Sequence, residues 1–197
     1  MREIEEEQLK IYYYFMMVDG KCTSEELNKF ELICKEMGVQ QDDMLRIARE
    51  CELAVDISGK NGSARVKAVI QALLEDGGSP YEKEDNSKRC HLTRNKQRQI
   101  YVIWNLINLG YADQEYSSEE KSIVEFLVDF WKIDDKLLAE MFDVAETLLE
   151  LIKQREWIKT TSKPYDLIHK IVEETDRDIE KLKVSMERTL EEACEEV

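Results

Sequence analysis

Two short segments of this 197-residue chain carry an aspartate followed, seven positions on, by a glutamate: Asp19 with Glu26, and Asp113 with Glu120. Carboxylates are hard oxygen donors. Four of them in one place suit Ca²⁺ or Mg²⁺ better than zinc or copper, and without a cation they repel and raise one another's pKa. Each glutamate also completes a second pattern. Thr23-x-x-Glu26 and Ser117-x-x-Glu120 are capping boxes, in which the hydroxyl accepts the N–H three residues on while the glutamate accepts the cap residue's own N–H. Capping accounts for Thr23, Ser117, Glu26 and Glu120, and leaves Asp19 and Asp113 without a role. Both readings stay open at this level.

The two segments are related by a shift of 94 positions. Val18-Asp19-Gly20-Lys21-Cys22-Thr23-Ser24-Glu25-Glu26 falls on Ala112-Asp113-Gln114-Glu115-Tyr116-Ser117-Ser118-Glu119-Glu120, with Phe30 on Val124, Ile33 on Leu127 and Val39 on Ile133. An acidic residue with a glutamate seven later matches the second half of an EF-hand calcium loop, whose early positions must also supply carboxylates. Here those positions hold Phe15 and Met17 in one segment and Leu109 and Tyr111 in the other, and Gln114 replaces the turn glycine. An autonomous EF-hand is excluded.

Helices must position these turns. Apolar spacing predicts helices over Arg2–Val18 and Ser24–Met37, the latter burying Leu27, Phe30, Ile33, Cys34 and Met37 before Gly38 as a left-handed cap. A third, capped by Asp42 or Asp43 and carried by Leu45, Ile47, Ala48 and Leu53, runs to Ala54; a fourth starts at Ser63 and ends before Gly77-Gly78. Residues 76–95 lose the apolar period and read as a polar linker. Helices resume over Lys96–Leu109, Ser118–Trp131 and Asp134–Trp157. After the joint Lys159–Pro164, residues 165–196 read as one long amphipathic helix whose seam is Ile168, Val172, Thr175, Ile179, Leu182, Met186, Thr189 and Ala193. That helix either folds back on the body or pairs with a second chain.

Composition narrows the function. Seven glycines and two prolines provide too little turn punctuation for an all-β fold. With 28 basic and 43 acidic residues the net charge is −15, which disfavours nucleic acid and anionic lipid as general partners. Five scattered cysteines without a C-x-x-C pair fit a reducing cytoplasm, and no window approaches the ~20 apolar residues of a membrane span. Neither His91 nor His169 is tied to a nucleophile, and no phosphate-cradling glycine loop occurs, so no enzyme is expected. The basic run Lys88–Arg98 reads as a solvated loop entering a helix.

The paired motifs resemble the tellurite-resistance TerB family of all-helical bacterial domains, whose signature is a small residue, Asp-Gly, a hydroxyl or proline region and a glutamate seven after the aspartate, once in each half of a duplicated bundle. The resemblance covers Met1–Trp157. It implies an all-α bundle of about seven helices with internal pseudo-twofold duplication (halves about 1–75 and 96–157), with the long C-terminal helix outside it. It further implies that Asp19, Glu26, Asp113 and Glu120 converge to bind a divalent cation, Ca²⁺ or Mg²⁺, within stress-response assemblies of protein partners. The competing reading is a structural adaptor that binds or dimerises through the C-terminal helix and has no metal site.

Overall fold

The computed structural model describes residues 3–54, 62–76, 92, 95–114 and 116–195. These hold eight α-helices: α1 (Glu3–Met16), α2 (Ser24–Glu36), α3 (Gln41–Ala54), α4 (Gly62–Asp76), α5 (Lys96–Gly110), α6 (Ser118–Trp131), α7 (Asp135–Lys159) and α8 (Tyr165–Glu195). The count is one more than the seven of the expected bundle, the eighth being the long C-terminal helix. There is no strand among the described residues. The expected linker at 76–95 lies almost wholly outside them, as does the basic run up to His91.

The chain divides into two compact units, Met1–Ile133 and Asp134–Val197. The boundary falls before α7, so α7 groups with α8 and not with the helices preceding it.

In the first unit α1 is the central element. From Leu9 through Met16 all but Lys10 are buried, and α1 packs against α2, α3, α4, α5 and α6. A helix apolar around most of its circumference is stable only when surrounded. Its tyrosines find polar partners at the edges: the Tyr12 hydroxyl accepts from Asn105 Nδ2 at 3.0 Å, and the Tyr13 hydroxyl donates to Glu52 Oε1 at 2.7 Å. α5 is the second buried helix, enclosing Ile100, Val102, Ile103, Leu106, Ile107 and Leu109. It lies against α1, α2 and α6.

The shorter helices depart from expectation in which face they bury. On α3 the buried residues are Met44, Ile47 and Cys51, spaced to face α1, whereas Leu45 is exposed and Leu53 is 89% exposed. Leu27 on α2 is exposed too. Each residue advances about 100° around the helix axis, so Leu45 points away from the face that Met44 occupies. α3 begins at Gln41 and α4 at Gly62, so Asp42, Asp43 and Ser63 lie inside the first turns and are not caps.

The second unit is a helical hairpin. Arg155 Nη1 meets Asp176 Oδ1 at 3.0 Å and Thr189 Oγ1 donates to Glu140 Oε1 at 3.1 Å, pairings that run in opposite directions along the two helices. At ~1.5 Å per residue the 31 residues of α8 extend about 46 Å. Its seam is buried at Thr175, Ile179 and Met186, and half-buried at Ile168, Val172, Leu182, Thr189 and Ala193; Leu190, outside the expected seam, is buried as well. The Thr175 hydroxyl donates to Ile171 O, so its place in the seam leaves no polar group unsatisfied.

Candidate functional site

The turns α1–α2 and α5–α6 have the same backbone construction. In the first, Met17 N–H bonds Tyr13 O, Val18 N–H bonds Phe15 O and Gly20 N–H bonds Met17 O, at 3.2, 3.1 and 3.1 Å; in the second, Tyr111, Ala112 and Gln114 repeat those bonds to Ile107, Leu109 and Tyr111, at 3.1, 2.9 and 3.3 Å. Gly20 (φ 79°) and Gln114 (φ 71°) both take the left-handed conformation. That conformation is free for glycine and strained for glutamine. The replacement of the turn glycine by Gln114 thus leaves the path of the chain unchanged.

Both capping boxes are complete. Thr23 N–H donates to Glu26 Oε2 at 2.7 Å and Glu26 N–H donates to Thr23 Oγ1 at 3.2 Å. Ser117 N–H and Glu120 N–H repeat the pair at the same distances. The correspondence extends to the helix ends: Gly38 and Lys132 are both left-handed, and Val39 N–H bonds Cys34 O as Ile133 N–H bonds Val128 O. Asp19 has a local role, since its Oδ1 accepts Lys21 N–H at 2.8 Å and tightens the turn.

Burial separates the four acids. Glu26 is 4% and Glu120 3% exposed, Asp113 is half-buried and Asp19 is exposed. Burial raises the pKa of Glu26; the hydrogen bonds from Thr23 oppose this, and the charges of Asp113 and Asp19 add to it. Burial likewise pushes Glu120 up to about 7, opposed by the hydrogen bonds from Ser117 and reinforced by the charges of Glu26 and Asp19. Each buried glutamate therefore feels acids of the other turn as well as its own surroundings, which requires the two turns to be neighbours. Among the described residues neither glutamate forms an ion pair with lysine or arginine.

Proximity does not amount to coordination. Among the described residues, no three Asp, Glu, His or Cys side chains form a group that could hold a metal ion. Glu26 and Glu120 each turn an oxygen back to their caps, and the Asp19 oxygen is engaged by Lys21 N–H. The donor chemistry fits a hard cation; the present side-chain orientations do not.

Four contributors were not read from the sequence. Tyr116 stacks on Tyr111 with ring centroids 5.0 Å apart, and burial together with the charge of Glu120 holds its hydroxyl proton more tightly than usual. Gly110 permits this arrangement, because a Cβ there would run into the Tyr116 ring. Cys22 occupies the place of Tyr116 in the first turn; it is exposed, yet burial of its sulfur and the charges of Glu26, Asp19 and Glu52 raise its thiol pKa, which disfavours thiolate. From the basic run, Lys96 Nζ donates to Trp131 O and Lys132 O at 3.0 and 2.8 Å, closing the C-terminus of α6. Its only sequence signal is a lysine at a helix start, which says nothing of a carbonyl partner 35 residues away.

Two surface grooves, of ≈ 450 and ≈ 400 Å³, lie along α7 (Thr147, Glu150, Leu151, Lys153, Gln154, Trp157) and α3 (Asp42, Leu45, Arg46, Arg49, Glu50, Leu53). None of the four carboxylates lines either. No helix among the described residues is long and apolar enough to cross a membrane. Comparison with family models, curated proteins and solved structures returned no match.

Proposed function

We propose that this chain is a non-enzymatic, cytoplasmic module of TerB-like type, internally duplicated with pseudo-twofold symmetry, which takes up one Ca²⁺ or Mg²⁺ between its paired Asp-x6-Glu turns and presents the loaded state to protein partners in stress-response assemblies. The observation that carries this reading is the electrostatic strain at Glu26 and Glu120, two buried carboxylates that sense acids of both turns and, among the described residues, form no ion pair with a basic side chain. A divalent cation placed among the four acids would relieve that strain. Binding requires the glutamates to offer their second oxygens or to swing away from their caps. The recurrence of one hydrogen-bond pattern at both turns supports the duplication, and the two motifs alone support the TerB-like assignment.

Titration calorimetry with Ca²⁺ and with Mg²⁺ tests this reading, comparing the parent with Asp19→Asn plus Asp113→Asn. Binding by the parent and its loss in the double variant are expected; negligible heat in both would sink the metal site. One observation favours the adaptor reading. The capping boxes already engage both glutamates, so the turns are complete without an ion. Under that reading the intact chain shows no response to either cation, and α8 carries the binding.

A further inference from the structure

We draw no further inference here: the strongest candidate, the apolar row of α7 that leaves Leu137, Val144 and Leu151 half-buried beside the buried Met141, Ala145 and Leu148, carries nothing, because nothing in the structure shows what covers it.

Discussion

Glu120 is the residue whose titration should be felt by the whole first unit. Burial, with the charges of Glu26 and Asp19, lifts its pKa from 4.5 to about 7. In the unfolded chain the carboxyl ionises near its ordinary value, so between pH 4.5 and 7 the unfolded state loses this proton while the folded state keeps it. The sign follows: the contribution of Glu120 to stability is fully present below about pH 4.5 and is lost as pH rises through about 7. At 1.36 kcal/mol per pKa unit the loss is about 3 kcal/mol, and solvent screening brings it to about 2 kcal/mol. Glu120→Gln removes the charge and keeps the cap, since glutamine serves the same position of a capping box. Thermal melts of parent and variant across pH 4–8, in chelator, should coincide near pH 4.5 and diverge until the variant is about 2 kcal/mol more stable at pH 8, or roughly 6–10 °C in Tm. If the proposed ion binds, Ca²⁺ or Mg²⁺ at millimolar concentration narrows the gap by stabilising the parent alone. A difference that stays constant with pH would refute the electrostatic reasoning, because it would mean that Glu120 ionises in the fold as it does in water.

The turns allow three further tests, all readable by urea denaturation. Gln114→Gly removes the side chain from a left-handed residue and should stabilise the chain by up to about 1 kcal/mol, while Gly20→Ala at the corresponding position should cost about as much; the same sign for both would refute equivalence of the two turns. Gly110→Ala drives a methyl into the Tyr116 ring and should cost about 1–3 kcal/mol, with partial recovery when Tyr116 is also replaced by leucine; an unchanged midpoint in the single variant would mean that the ring moves freely. Thr23→Ala and Ser117→Ala should each cost about 1 kcal/mol through loss of the cap, and additive losses in the double variant would show that the two caps act independently.

What could be read from the sequence was local. The Thr23 and Ser117 boxes announce the starts of α2 and α6, Gly38 announces the end of α2, and the alternation of three and four along residues 168–193 describes the α8 seam that is buried or half-buried throughout. Each of these depends on neighbours within about one turn. The misread faces of α2 and α3 have a different origin. Leucine at 27, 45 and 53 is apolar wherever it stands, and only the position of α1 decides that Met44, Ile47 and Cys51 turn inward. The grouping of α7 with α8 is a tertiary choice of the same kind, since one apolar stripe can meet either the preceding helices or the following one. At the site the spacing of Asp19, Glu26, Asp113 and Glu120 was visible. The burial of the glutamates and the Lys96 cap on α6 were not, because each depends on residues far apart in the chain.

Helix capping by itself does not call for this degree of burial. A glutamate at the third position of a helix caps equally well from the solvent-facing side, where its charge is hydrated and its pKa ordinary. Glu119, one residue earlier, is exposed, accepts a hydrogen bond from Ser118, and has a pKa that is lowered and not raised. Glu26 and Glu120 instead bury their carboxylates in neighbouring turns, where Asp113 and Asp19 raise the energy of ionising Glu26, and Glu26 and Asp19 that of ionising Glu120. Two caps contribute about 1 kcal/mol each, whereas the folded-state penalty at Glu120 alone is about 2 kcal/mol. The two caps therefore no more than offset that penalty, and the proposed cation shared between the turns would relieve it.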